Sequence, residues 1–324
     1  MKLVSFTLKP VAPFRLDYTA WALRRRPDNI VDRWEDGQYR RVFAINGKAL
    51  AVSAVQGGSA ARPVIEVNVA GDRISAPSIK RINLLLSKML GLCLDLSGFY
   101  SLSKKDRRLD ALAGEFMGLK PPRFENLYEA MVNAVACQQL SLLVGIRLLN
   151  RMAQAYGKAF RGGAQPAYSF PSPEALAEAQ PAELRALGFS AHKADSLVEI
   201  SRAVASRRPG NSSPDLEAVS GMENEEAGKQ LTGFRGIGRW SAQYALLRGL
   251  GRMDVFPGDD VGARHKLRNW MGIGTPLAYE DVERIVSRWQ PYGGFIYFHL
   301  LLKSLKAKGY LDSGVPVAAV EETA

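Results

Sequence analysis

The sequence predicts an α+β chain, with a small N-terminal antiparallel-sheet unit followed by an all-helical core. Three observations carry this expectation. Short apolar or alternating stretches crowd into roughly the first seventy residues, separated by turn signals. From Pro121-Pro122 onward the composition turns helical. A glycine-punctuated turn, Gly233–Gly238, joins two of the later helices. The expected units are residues 1–118 for the α+β part, 119–310 for the helical part and 311–324 for a frayed tail.

Taken in order, Val4–Leu8, Val42–Ile45, Ala49–Val55 and Val64–Val69 read as strands. Asn46-Gly47 signals a two-residue hairpin between the middle pair, and Gly57-Gly58-Ser59 marks a further turn. Leu16–Arg26 is an amphipathic helix halted by Pro27. Ser78–Leu92 places Ile79, Ile82, Leu85, Leu86 and Met89 on one helical face. Asn126–Tyr156 reads as helical, followed by Pro171–Glu178, Pro181–Leu187 and Ala191–Arg207. Arg208–Pro214 is a Pro/Gly/Ser loop. An acidic run, Asn224–Leu231, ends a short helix, and its successor starts near Trp240 and runs to about Leu250. Val261–Met271, Ala278–Trp289 and Tyr292–Lys306 complete the helical set.

Composition narrows the function classes. The chain of 324 residues is long enough for two or three domains with a real core. A formal charge of +11 implies a polyanionic partner or a basic surface, without naming DNA. Two cysteines, Cys93 and Cys137, exclude a disulfide framework or a four-cysteine cluster. His192, His265 and His299 are not spaced as metal ligands, which argues against a catalytic zinc. No signal-like or 18-residue apolar run occurs, so the expectation is a soluble cytoplasmic protein with no membrane partner.

The stretch Leu231–Asp260 concentrates the chemistry. Its glycines permit φ > 0 and close approach of another molecule, and the second helix directs its first amides and positive dipole end outward, which suits a phosphate. Arg235, Arg239, Arg248 and Arg252 add positive charge with no acid between Leu231 and Met253. Leu231, Phe234, Gly236-Ile237-Gly238-Arg239-Trp240-Ser241-Ala242, Asp254-Val255-Phe256 and Asp259-Asp260 together resemble the hairpin of the helix-hairpin-helix–GPD superfamily of DNA glycosylases. The likeness is to the 3-methyladenine DNA glycosylase II family. It extends, more weakly, to an N-terminal α+β domain before the helical helix-hairpin-helix core.

The resemblance implies an enzyme of base excision repair that flips a damaged nucleotide from double-stranded DNA and hydrolyses its N-glycosidic bond. Asp260 matches the family's catalytic aspartate. Its position opening the helix Val261–Met271 also suits a plain N-cap, and the two roles are compatible. Asp259 reads as a turn residue. In bifunctional relatives a lysine occupies the position of Trp240; tryptophan forms no Schiff base, so a monofunctional enzyme is expected. Trp240, Tyr244, Tyr292 and Trp21 are the base-pocket candidates, with at least one of them expected to be structural. Gly236, Gly238, Arg239 and Ser241 would bind DNA at the hairpin. Gln138, Gln139 and Leu140 resemble the stretch that probes the duplex, with Gln139 or Leu140 as the wedge; a plain helix interior explains Leu140 equally well. Main-chain carbonyls of Thr232, Phe234 and Ile237 match those that hold a Na+ or K+ ion in relatives, and no other cofactor is expected.

The remaining expectations are a monomer, nucleoid-associated in a bacterium or nuclear in a eukaryote. A glycosylase for deaminated or oxidised bases and a non-catalytic DNA-binding protein stay open as alternatives. The carboxylate at Asp260 argues against the second, since gripping a polyanion does not call for an acid beside it.

Overall fold

In the computed structural model, which describes residues 1–206 and 215–311, alternating apolar and polar side chains build a five-stranded antiparallel sheet. Its strands are β1 (Lys2–Leu8), β2 (Arg33–Glu35), β3 (Gln38–Ile45), β4 (Lys48–Gly57) and β5 (Val64–Gly71), in the order β1-β5-β4-β3-β2. Asn46 and Gly47 both take positive φ, 50° and 73°, between the paired residues Ile45 and Lys48, as the hairpin signal requires. Helix α1 (Leu16–Arg24) follows β1 and stops two residues before the expected Arg26, because Arg25 turns left-handed at φ 66°. Beyond the sheet come α2 (Ala76–Met89), α3 (Ser97–Ser103) and α4 (Arg107–Glu115).

The helical part corrects one expectation. Asn126–Tyr156 is two helices, α5 (Leu127–Cys137) and α6 (Leu142–Tyr156), separated by a reversal at Gln138–Ser141. A two-stranded ribbon, β6 (Ala159–Phe160) and β7 (Ala167–Tyr168), leads to α7 (Pro173–Ala177), α8 (Pro181–Ala186) and α9 (Ala191–Ala205). Helix α10 (Leu216–Gly221) precedes α11 (Asn224–Thr232), so the acidic run is itself a helix rather than the end of one. Helix α12 (Arg239–Ala245) continues as one π-helical turn, Leu246–Leu250. Helices α13 (Val261–Met271), α14 (Tyr279–Val286) and α15 (Gly293–Lys306) close the fold. The loop at Arg208–Pro214 and the tail from 312 lie outside the described residues.

Two apolar cores result. One joins the sheet to α5, α6, α9 and α12 through residues such as Phe43, Val67, Met131, Leu149, Leu197 and Tyr244. The other packs α3 and α4 against α13, α14 and α15 through Phe99, Phe116, Leu267, Val282 and Phe298. Helix α1 serves both, with Leu16, Ala20 and Leu23 in the first and Trp21 and Ala22 in the second. Arg41 of β3 bolts the sheet to α5. Fully buried, it donates to Asp32 (2.8 Å) and to Glu129 (2.7 Å), and its charge stays locked on. No helix among the described residues is long and apolar enough to cross a membrane.

Candidate active site and nucleic-acid interface

A cleft of about 1140 Å³ opens between the elements of the two cores. The α5–α6 reversal, the start of α9 and the α11–α12 hairpin line it, and Asp259, Asp260, Val261 and Gly262 at the start of α13 complete it. Each of these groups is held by identifiable contacts.

The hairpin turn depends on Gly236, at φ +82°, where a Cβ would sit 2.5 Å from the Ser196 hydroxyl. Gly238 caps α12 with no side-chain hydrogen bond, so the first-turn N–H groups, without intrahelical acceptors, remain for a ligand. The Gln138 amide donates to the Gly236 carbonyl (2.7 Å) and to the buried Ser241 hydroxyl (2.8 Å). Gln138 and Ser241, expected to touch DNA, thus join the hairpin to the α5–α6 reversal. Lys193 of α9 holds the reversal from below, donating to the carbonyls of Ala136 (3.1 Å) and Gln138 (2.6 Å). Gln139 then adopts φ 51°, and Leu140 stands 41% exposed at the rim. Leu140 therefore lies outside both helices and presents an apolar side chain at the rim of the cleft, so a helix interior is excluded.

Asp260 both caps α13 and lines the cleft. Its Oδ1 accepts from the Ala263 N–H (2.8 Å), and the Tyr297 hydroxyl approaches Oδ2 at 3.5 Å. Burial and the Asp260 charge push the Tyr297 phenol well above its usual range, so it stays protonated beside the carboxylate. Sequence reasoning missed Tyr297, because an aromatic within the apolar run of α15 carries no mark distinguishing it from core. Lys266 also lies within the field of Asp260; burial lowers its pKa, and its amine donates to the Gly262 carbonyl.

Of the four aromatic candidates, the structure brings two together. Trp240 lines the cleft, its buried indole N–H has no partner among the described residues, and its ring lies 5.6 Å from that of Tyr244. Tyr244 is buried behind it, its hydroxyl accepting from Arg25 (2.8 Å), which also donates to Asn133 (2.6 Å). The other two are corrected. Trp21 stacks on Tyr310 (5.7 Å) inside the second core, so the N-terminal unit reaches beneath the pocket with Arg25 instead. Tyr292 packs edge-on against Phe99 (5.5 Å) and does not line the cleft.

The hairpin arginines are a further correction, because each is engaged within the protein. Arg235 pairs with Glu199 and Asp195, and Arg239 with Asp259. Arg248 is buried and donates to the carbonyls of Ala22 and Leu23. Arg252 donates to Asn224, Ser220 and Met222. These arginines thus have internal partners, and the first-turn amides of α12 are the groups without one inside the helix. Among the described residues, no cluster of three or more His, Cys, Asp or Glu side chains could hold a metal.

Comparison with known proteins covers these same elements. A family model described as "HhH-GPD superfamily base excision DNA repair protein" matches residues 132–291, from α5 through the hairpin and Asp260. The chain is 29% identical over 206 residues to a DNA-3-methyladenine glycosylase of Bacillus subtilis, covering 64% of this chain and 66% of that one. It is 27% identical over 305 residues to DNA-3-methyladenine glycosylase 2 of Escherichia coli, covering 91% and 96%. The solved 3-methyladenine DNA glycosylase of Archaeoglobus fulgidus superposes with a TM-score of 0.77 at 27% identity, over 92% of this chain and 97% of that one. The Schizosaccharomyces pombe 3-methyladenine DNA glycosylase in complex with abasic DNA gives 0.54 at 29% identity, over 64% and 96%. With the hairpin, the exposed Leu140 and the capped aspartate in one cleft, residues 132–291 of the chain belong to the HhH-GPD superfamily of base excision DNA repair proteins.

Proposed function

We infer that the cleft excises alkylated purines from DNA. The chain is a DNA glycosylase of base excision repair, a hydrolase of the 3-methyladenine type. One observation carries the mechanism: Asp260 is fixed by its own cap bond at a cleft walled by an uncapped helix start on one side and a protruding leucine on the other. Backbone amides of the hairpin would grip a phosphate. Leu140, or Gln139 beside it, would fill the gap left by the everted nucleotide, whose unstacking costs a few kcal/mol. The flipped base would stack on Trp240, backed by Tyr244; an electron-rich face attracts a cationic alkylated base. Such a base departs neutral and needs little acid assistance. The carboxylate of Asp260 would offset the positive charge growing on the sugar and orient the attacking water.

With an indole at Trp240, no amine occupies the position from which a Schiff base forms, so the enzyme leaves an abasic site without nicking the strand. Carbonyls of Thr232, Phe234 and Ile237 would hold a sodium or potassium ion that adds positive charge towards the phosphate; all three residues line the cleft, although the Phe234 carbonyl already accepts from the Ile237 N–H (3.1 Å). The protein acts as a monomer on double-stranded DNA. The test is incubation with alkylated duplex. Released 3-methyladenine, alkali-labile sites and no borohydride-trapped adduct are expected. Tight binding with no released base would make the protein a non-catalytic DNA binder, and a trapped adduct would shift attention to Lys266.

A further inference from the structure

We propose that Arg239 is a positioning residue for Asp260 rather than a phosphate ligand, and that it acts by clamping the loop Pro257–Asp260 to the hairpin through Asp259. This inference rests on the glycosylase reading of the cleft. Arg239 is the first residue of α12, where a phosphate contact is the obvious expectation. Its guanidinium is instead spent on a fork: Nε donates to Asp259 Oδ2 (2.6 Å) and Nη2 to Oδ1 (3.0 Å). The paired groups neutralise each other, so the arginine offers little net charge to a phosphate. A phosphate taking Arg239 would also leave the Asp259 carboxylate unpaired beside a polyanion.

Tyr279 of α14 ties the same arginine to the loop. The Arg239 guanidinium lies 3.8 Å from the ring centroid of Tyr279, on α14. Tyr279 accepts a hydrogen bond from Gln243 of α12 (2.8 Å) and donates one to Glu283 (2.6 Å), which fixes its ring. Gly258 packs against that ring so closely that a Cβ would come within 2.9 Å of it. The loop is therefore seated on Tyr279 and held by Arg239, and within it the Asp260 N–H donates to the Pro257 carbonyl (2.9 Å). An exposed ion pair contributes little to stability, but a two-point fork fixes direction, and direction is what a carboxylate beside a reacting sugar requires.

The test uses the full-length protein and its Arg239→Gln, Asp259→Asn, doubly substituted and Arg239→Lys forms. Single-turnover base release from alkylated duplex, the salt dependence of abasic-DNA affinity, and amide exchange across residues 257–262 are measured. Each single variant is expected to slow release by about tenfold to a hundredfold. The double variant should be no slower than either single one, and Arg239→Lys should recover little, because an ammonium makes no fork. Exchange in the loop should quicken, while the slope of log affinity against log salt stays at the wild-type value. A slope reduced by about one unit in Arg239→Gln, with Asp259→Asn releasing base normally, would overturn the proposal and make Arg239 a phosphate ligand. Unchanged release and exchange in both variants would also overturn it. If the wild type itself releases no base, the glycosylase reading fails, and the exchange measurement still decides whether the clamp exists.

Discussion

At Asp260 a structural role and the proposed chemical one fall on a single side chain, because the oxygen that caps α13 fixes the direction of the carboxylate that faces the cleft. The sequence offered both readings, and the geometry makes the first a condition of the second. Leu140 is the opposite case, a side chain whose proposed role depends on being unsupported. Leu140→Ala is expected to lower kcat/KM on a paired duplex about tenfold and to leave release from single-stranded substrate within about twofold, since only the duplex must be opened. Equal losses on both substrates would remove Leu140 from the wedge. The residues that were illegible share one property, namely partners far away in sequence. Tyr297 reaches Asp260 across 37 positions, and Arg25 reaches Tyr244 across 219. Trp21 and Tyr292 were legible as important aromatics but not as core, because periodicity shows that a face is buried without showing against what.

Among the elements, the hairpin was readable because glycine chemistry is local. Gly236 needs positive φ and has Ser196 beneath it, two demands that one residue type meets. Gly236→Ala is expected to cost about 1–3 kcal/mol of stability in urea unfolding and to weaken abasic-DNA binding at least tenfold. Wild-type affinity in a stably folded variant would show that the turn does not bear on the phosphate. The α5–α6 reversal was not readable from Cys137-Gln138-Gln139-Leu140-Ser141, which contains neither glycine nor proline. Gln139 turns left-handed there, and the lysine brace from α9 that holds the turn is a tertiary contact.

For the whole molecule, the sheet was legible from alternation and from Asn46-Gly47, while its attachment to the helices was not, since Arg41, Asp32 and Glu129 are charged residues in a place where charge is rare. Arg41→Met would leave two buried carboxylates without their cation and is expected to cost about 3–5 kcal/mol in equilibrium unfolding; a loss below about 1 kcal/mol would remove the bolt. His299, caged by Phe99, Phe116 and Phe295, is lowered by burial to about 4 from an ordinary value of 6.5. Its neutral form is native, so its contribution is complete above pH 6.5 and is lost as pH falls towards 4, where the unfolded chain has taken up a proton that the folded one refuses. That loss amounts to about 3 kcal/mol, and His299→Phe should flatten this part of the stability–pH curve; an unchanged slope would mean another group is responsible. The carboxylate of Asp260 is best probed by single-turnover release from alkylated duplex by Asp260→Asn, a substitution that keeps a competent helix cap. Abasic-DNA affinity should stay within about twofold of wild type while release slows at least about a hundredfold; release at the wild-type rate would remove Asp260 from the chemistry.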